Sequence, residues 1–538
     1  MLSAAQRAPL APPPSVLHAF RAAVARAPGR TALAYFDARI GYAEADALCD
    51  SVAGHLAAHG VRRGDRVAVM LQNTPHFVLA VLAAWKAGAV VVPLNPMYKA
   101  GEAGRILRDC GAAALVCEGR AWTAYLREAV RGAPVRTVLT ASARDFQTRD
   151  DLRVLTPGHE AVPAGTADLA AVARQGHPAP ADPGLTAADT ALISYTSGTS
   201  GAPKGALNPH GALLYNAMRQ VTGHPVPEGA TYFALAPLFH ITGMVCEFTA
   251  CLINAGTLAL AHRFDAGVVL DAFLEHRPAY TIGPATAFMA LAAHPGVTRD
   301  HFASFRVLSS GGAPLPPALV ERLRADLGFY LRNGYGLTET TATCASVPAH
   351  REAPVDPASG TLSVGLPSTD TVVRVLGADG AELPFGETGE IAVRGPQVVP
   401  GYLGLPADTA KTFPDGELRT GDVGFMDAAG WLYVVDRKKD MINASGFKVW
   451  PREVEDVLYT HPAVREAAVV GVPDPYRGEN VKAYVSLRPG ASAAPAELSA
   501  YCAARIAAYK YPRQVEILPA LPKTASGKIL RRELRERG

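Results

Sequence analysis

Leu192-Ile193-Ser194-Tyr195-Thr196-Ser197-Gly198-Thr199-Ser200-Gly201-Ala202-Pro203-Lys204-Gly205 runs from an apolar strand into a loop of Gly, Ser and Thr that closes on a lysine. Glycines let backbone N–H groups approach a polyanion, hydroxyls donate to its oxygens, and the lysine adds a point charge. The spacing is not that of a Walker A loop: Pro203 stands where the second Gly belongs, and Gly205 follows the lysine in place of Ser or Thr. Outward from this loop the chain reads as α/β. Residues 61–65 form a turn into the apolar run 67–71, a helical stretch covers 74–87, and a second apolar run covers 89–93. Strand, helix and strand with short polar links predict a parallel sheet covered by helices, and the rhythm returns near 230–235, 276–283 and 306–310.

Between residues 136 and 188 the chain turns polar and rich in Pro and Gly, which reads as a surface excursion. From about residue 372 the spacing shortens into strands at 371–376, 389–394 and 430–435, a smaller β-rich subdomain. Beyond Asp436 a helix at 451–460, strands at 464–472 and 482–488, a helix at 496–508 and a basic tail predict a compact α+β unit of about a hundred residues. The division expected is therefore residues 1–436, a large α/β domain with a β-rich subdomain, and residues 437–538, a small α+β domain.

The composition bounds the function. Of 538 residues, 49% are hydrophobic and 19% charged, enough apolar material for large cores. Lys plus Arg total 52 against 49 for Asp plus Glu, a formal charge of +3, which argues against a dedicated nucleic-acid binder. Glutamates alternate with the arginines of residues 530–537, so that tail reads as a solvated helix face. The seven cysteines (49, 110, 117, 246, 251, 344 and 502) are scattered with no Cys-x-x-Cys pair, and read as buried free thiols in a reducing compartment. Residues 1–15 carry no apolar signal-peptide core, and the most membrane-like stretch, 77–85, is cut by Lys86 well short of about 18 apolar residues. The expectation is a soluble cytoplasmic protein that spans no membrane.

Five further strings follow in order. They are Ser310-Gly311-Gly312-Ala313-Pro314-Leu315, Asn333-Gly334-Tyr335-Gly336-Leu337-Thr338-Glu339-Thr340, Leu418-Arg419-Thr420-Gly421-Asp422, Asp436-Arg437-Lys438-Lys439-Asp440 with Ser445-Gly446-Phe447-Lys448, and Pro522-Lys523-Thr524-Ala525-Ser526-Gly527-Lys528. With the loop at 192–205 they resemble the motifs of the adenylate-forming superfamily: acyl-CoA synthetases, peptide-synthetase adenylation domains and luciferases. The likeness covers essentially the whole chain from about Ser15, and is nearest in look to fatty acyl-CoA and aryl-CoA ligases.

The resemblance implies ATP, Mg²⁺ and CoA. A carboxylate and ATP are both anions, so joining them requires neutralisation and in-line alignment at the α-phosphorus. Thr196, Ser197, Gly198, Thr199 and Lys204 would hold the β- and γ-phosphates, and Glu339 would bind Mg²⁺, a hard cation held by one or two carboxylates plus phosphate oxygens. Thr338 would donate to the α-phosphate, and Lys528 would bridge that phosphate and the incoming carboxylate. By resemblance Gly312, Ala313 and Pro314 form the adenine-side loop, and Tyr335 stacks on adenine between Gly334 and Gly336. Asn333 bonds the exocyclic amine, and Asp422 takes the ribose hydroxyls with help from Arg437. Taken singly, Glu339 or Asp422 reads as a cap or turn, Tyr335 as a core aromatic and Lys528 as a surface lysine; the ordered motifs are what single them out.

The resemblance also implies a swing of the small domain about Lys439 that withdraws Lys528 and brings Gly446 and Lys448 to the entering thiol. His240 falls beside the acyl tunnel, with Thr242, Phe288, Gly312, Gly336 and Ala342 as further lining, so a hydrophobic acid, fatty or aryl, is expected. His210 reads as a helix-cap neighbour, and the other histidines as surface groups. The function implied is an ATP-dependent acid–CoA ligase of the fatty-acid-metabolism type. The alternative is an adenylating enzyme that passes its product to a carrier protein, an amine, or nitrite in diazotisation. Whether the chain is a monomer or a homodimer stays open.

Overall fold

The run from 61 to 93 folds as read: strand Arg66–Met70, helix Pro75–Lys86 and strand Val90–Pro93, the two strands parallel neighbours. The helix is apolar on every side and buried throughout, as an all-round hydrophobic helix must be. Trp85 donates from Nε1 to the Ala191 carbonyl at 3.1 Å, and Lys86, 4% exposed, is satisfied by Asp46 and Asp50. The most membrane-like stretch is thus a core helix, and among the described residues no helix is long and apolar enough to cross a membrane. The computed structural model describes residues 12–158, 161–196, 203–437, 440–444, 447–474, 478–524 and 527–537; of Arg437, Phe447 and Lys448 only the backbone is described.

Two large sheets share this core. In the first, seven strands run in the order Ala167–Asp168, Thr137–Ala141, Ala112–Glu118, Arg66–Met70, Val90–Pro93, Thr190–Thr196, Lys204–Pro209, all parallel except the last hairpin. In the second, of nine strands, Leu331–Leu337, Val307–Ser310, Tyr280–Gly283, Thr231–Phe233, Thr257–Leu260 and Thr31–Tyr35 are parallel neighbours, and antiparallel strands close both ends. A four-stranded antiparallel sheet follows: Val372–Leu376, Gly389–Arg394, Leu418–Met426 and Leu432–Arg437. The chain past 440 builds its own sheet from Ile442–Ala444, Phe447–Val449, Val464–Asp474, Gly478–Leu487 and Gln514–Ile517, around a core that includes Val454, Leu458, Val469 and Val485. The molecule is therefore α/β with large parallel sheets and a smaller C-terminal α+β unit.

Several local expectations need correction. Residues 136–188 are not only an excursion, because Thr137–Ala141 is a fully buried strand of the first sheet. Its five residues are too few, and too close to Pro and Gly, to stand out as a periodic run. The helix expected at 496–508 ends at Ala503, and Gln514–Ile517 is an additional strand. His76 is fully buried, and His55, His301 and His461 nearly so, against the surface reading, while His210 follows the N-cap Pro209 of helix His210–Gly223, as read, and is fully buried. His210 lies against Trp85, accepts from the Val16 N–H at Nδ1, and is held down to about 4 by burial. All seven cysteines are buried and free, as expected.

The arginine tail is not simply a solvated face either. Helix Arg531–Glu536 presents Arg531 to three acids: Asp436 at 2.9 Å, Asp440 at 3.4 Å and Glu455 at 2.7 Å. Arg535 adds a second bond to Asp440 at 2.7 Å, and the backbone N–H of Arg452 donates to Asp436. This clasp joins the end of strand Leu432–Arg437 to the chain beyond 440.

Candidate active site

The C-terminal ends of neighbouring parallel strands are where a doubly wound sheet opens a crevice. Three such ends in the second sheet carry expected site residues. Strand Tyr280–Gly283 leads into Pro284 and Thr286, Val307–Ser310 into Gly312, Ala313 and Pro314, and Leu331–Leu337 into Thr338 and Glu339. Gly312, at φ 78°, is exposed, and open space lies where its Cβ would stand. Asn333 is buried, donates to the Ser363 carbonyl at 3.1 Å and accepts from the Gly334 N–H.

Tyr335 donates its hydroxyl to Asp422 Oδ2 at 2.7 Å, so the expected stacking ring and the expected ribose carboxylate are one unit. Burial and then the Asp422 charge hold the Tyr335 phenol well above its ordinary value. The sheet register sets Arg437 directly opposite Asp422.

Beyond Tyr335 the chain makes a tight turn. Gly336 has no space for a side chain, since a Cβ would fall 1.6 Å from the Ala342 carbonyl oxygen. Thr338–Thr340 forms one 3₁₀ turn, after which Thr341 and Ala342 both take positive φ, 48° and 83°. Such conformations in non-glycine residues cost on the order of 1–3 kcal/mol each and persist only where the surroundings impose them.

Glu339 accepts from the Tyr402 hydroxyl at 2.8 Å, and the Lys204 ammonium sits 5.3 Å from the centre of the same ring. Lys204 is ion-paired with Asp408. Thr196, paired with Lys204 across the hairpin, points its hydroxyl at the Lys204 carbonyl. Tyr402 and Asp408 carry no expectation from sequence; the Gly-Tyr pair at 401–402 is the only local signal, and a weak one. Burial and the Glu339 charge push the Tyr402 phenol up. A cavity of about 440 Å³ opens beside them, walled by Glu339, Tyr402, Lys411, Arg419, Thr420 and Gly421. Lys411, equally unforeseen, and Arg419, from the string 418–422, bring two more cations to it.

A second group gathers around His240. Its Nδ1 accepts from the Thr242 N–H, and burial followed by the Lys528 charge holds the imidazole down to about 4. Lys528 lies in a turn closed by Thr524 N–H to Lys528 carbonyl at 2.7 Å and Lys528 N–H to Thr524 Oγ1 at 3.1 Å. The turn is docked on the large body: Thr286 Oγ1 donates to the Gly527 carbonyl at 3.0 Å, and a Cβ at Gly527 (φ 80°) would stand 2.7 Å from that hydroxyl. Phe288 is buried with its ring against Phe329, and Ala342 is buried beside Gly336. Ser197, Gly198, Thr199, Lys439 and Gly446 lie outside the described residues, as does the side chain of Lys448.

A lone carboxylate such as Glu339 suits a hard cation that brings phosphate oxygens as its other ligands. Among the described residues no group of three or more His, Cys, Asp or Glu is gathered for an all-protein metal site.

Comparison with known proteins agrees with this geometry. The model of a family described as AMP-binding enzyme matches residues 20–403, and that of the AMP-binding enzyme C-terminal domain matches 453–528. A feruloyl-CoA synthase of Amycolatopsis sp is 38% identical over 512 residues, covering 95% of this chain and 96% of that protein. A long-chain-fatty-acid–CoA ligase of Bacillus subtilis (strain 168) is 35% identical over 95% of this chain and 92% of its own. Among solved structures, a benzoate CoA ligase from Burkholderia xenovorans LB400 superposes with a TM-score of 0.85 at 26% identity, covering 97% of this chain and 99% of that one.

Proposed function

This chain belongs to the AMP-binding enzyme family, and from that premise we propose that it is an ATP-dependent ligase joining a hydrophobic carboxylic acid, fatty or aryl, to CoA. The observation that carries the reading is Lys528. The turn of this cation, from the C-terminal unit, docks on Thr286 beyond the end of strand Tyr280–Gly283, and its charge reaches His240. Strand Leu331–Leu337 of the same sheet carries Tyr335 and leads into Thr338 and Glu339. Relatives named for feruloyl-CoA and long-chain-fatty-acid–CoA support both the acceptor and the apolar class of acid.

In the first half-reaction the acid's carboxylate oxygen attacks the α-phosphorus of ATP. The bond to the β-phosphate oxygen breaks, and pyrophosphate leaves. Thr196, Ser197, Gly198, Thr199 and Lys204 hold the departing phosphates, Thr338 donates to the α-phosphate, and Lys528 spans that phosphate and the acid. Tyr335 and Asp422, already bonded to each other, receive adenosine, with Asn333, Gly312–Pro314 and Arg437 around it. Glu339 would hold Mg²⁺, which when bound neutralises the triphosphate charge. The acid's tail lies along His240, Thr242, Gly312, Gly336 and Ala342 over Phe288. A neutral imidazole next to Lys528 spares the carboxylate a second competing cation.

In the second half-reaction the CoA sulfur attacks the acyl carbon, the mixed anhydride C–O bond breaks and AMP leaves. Residues 437–538 turn about Lys439, Lys528 withdraws, and Gly446 and Lys448 face the thiol. Seven buried free thiols suit a reducing compartment, and we place the reaction in the cytoplasm. The test is pyrophosphate release and product mass spectrometry with ATP, Mg²⁺, CoA and a panel of fatty and aryl acids. Acid-dependent pyrophosphate with a thioester mass is expected. Pyrophosphate without thioester would remove CoA as acceptor, and no pyrophosphate with any acid would overturn the reading.

A further inference from the structure

Two buried asparagines converge on the turn that carries Thr338 and Glu339. Asn208 lies one residue before the end of strand Lys204–Pro209, and Asn216 lies on the following helix, His210–Gly223. Both are fully buried. Asn208 Nδ2 donates to the Thr338 carbonyl and to Thr341 Oγ1, each at 3.0 Å. Asn216 Nδ2 donates to the Thr340 carbonyl at 3.0 Å and to the Thr341 carbonyl at 2.6 Å. Neither Oδ1 accepts a hydrogen bond from the described residues, so all the hydrogen bonding of the two amides goes to this turn. Three of the four acceptors are carbonyl oxygens, which only a donor can satisfy, so the orientation of both amides follows.

The turn needs such support. Thr341 and Ala342 both hold positive φ, and Thr341 is β-branched, the residue class least suited to it. The Thr338 carbonyl accepts the one helix-type bond, from the Thr341 N–H at 3.0 Å, and Asn208 adds a second donor to it; the Thr340 and Thr341 carbonyls take theirs from Asn216. We propose that Asn208 and Asn216 are positioning residues that impose this strained turn and so aim Thr338 and Glu339 at the nucleotide. The strand of Asn208 starts at the phosphate-side lysine, which links the two halves of the nucleotide site through one rigid element. The assignment rests on the nucleotide-site reading above.

Asn208→Asp and Asn216→Asp keep the shape and remove the donors; Asn216→His keeps a donor and serves as the conservative variant. Melting temperature, ATP affinity by calorimetry without acid, and kcat with KM for ATP and for acid are measured well below each variant's melting point. The expected result is a loss of about 10- to 100-fold in adenylation, the scale for a catalytic group misplaced by about 1 Å. ATP binding weakens in parallel, the acid's KM stays within about twofold, and Asn216→His recovers part of the loss. Unchanged kcat and ATP affinity in the folded aspartate variants would overturn the proposal. So would a loss that follows only the melting temperature, with acid and ATP affected alike. If the wild type binds ATP yet releases no pyrophosphate with any acid, the ligase reading falls, while the calorimetric comparison still decides the role of the asparagines.

Discussion

Lys204 has a carboxylate partner within the protein. Its ammonium pairs with Asp408 above the Tyr402 ring, with side chains 34% and 40% exposed. A triphosphate must draw the lysine off that carboxylate, so the pair opposes ATP binding by its own strength. Ion pairs this exposed are worth about 0.2–1 kcal/mol. At about 1.4 kcal/mol per tenfold, Asp408→Asn should lower the KM for ATP by roughly 1.4- to 5-fold. The rate constant kcat should not change, because the pair is already broken in the bound state. The effect should shrink as salt is raised, since partly exposed charges are screened. It should vanish in a Lys204→Met background, which closes a double-mutant cycle. Initial-rate pyrophosphate assays at low and high salt read all of this. A KM for ATP that rises in Asp408→Asn would mean that the carboxylate assists the nucleotide. An unchanged KM at low salt would mean that Lys204 never leaves Asp408. Either result refutes the reasoning.

Lys528→Ala should abolish acyl-AMP formation, by at least about 10²–10³-fold on the scale of one lost preorganised donor. Supplied acyl-AMP should still be converted substantially to thioester with CoA, and equal loss of both halves in a folded variant would count against a role confined to adenylation. Glu339→Gln keeps an acceptor for the Tyr402 hydroxyl and removes the charge. Adenylation should drop by about 10²-fold and recover partly at raised Mg²⁺, whereas ordinary turnover at ordinary Mg²⁺ would exclude the metal role. His210, held down to about 4 by burial, favours its neutral form in the fold. Its contribution is complete above the unfolded value near pH 6.5 and is lost as pH falls towards 4, by about 3 kcal/mol at roughly 1.36 kcal/mol per pH unit. Chemical denaturation of His210→Gln should therefore be less steeply acid-sensitive than wild type in that window; identical pH profiles would show that His210 carries none of the effect.

Sequence reading reached the residues whose chemistry is announced locally. A strand that ends in Ser, Gly and Thr with a lysine, or a Thr-Glu pair in an uncharged loop, needs no partner to be noticed. Tyr402 and Asp408 have no such announcement. They bond Glu339 and Lys204, 63 and 204 residues away along the chain, and only the fold brings them together. Asn208 and Asn216 read as ordinary polar positions because their acceptors are backbone carbonyls, which every sequence supplies everywhere. The buried histidines depart from the surface reading for a related reason: an imidazole is buried or exposed according to its neighbours, and Asp145 and Phe146, which pack against His76, lie far from it in sequence. Strand Thr137–Ala141 escaped because burial on both faces removes the alternation that marks a half-exposed strand.

The clasp of Arg531 on Asp436, Asp440 and Glu455 sets a leash on Lys528. Only Ile529 and Leu530 lie between the two, and the three steps fully extended span at most about 11 Å. While the clasp stays closed, the lysine can retreat from His240 no farther than that leash allows. Flapping of the polar loop around Gly527 is then too short a stroke to clear the site for a thiol. If residues 437–538 turn about Lys439 as proposed, Arg531 travels with Asp440 and Glu455 while Asp436 stays on the large domain, so the barrier to withdrawal includes the Arg531–Asp436 pair and Gly527 leaving Thr286.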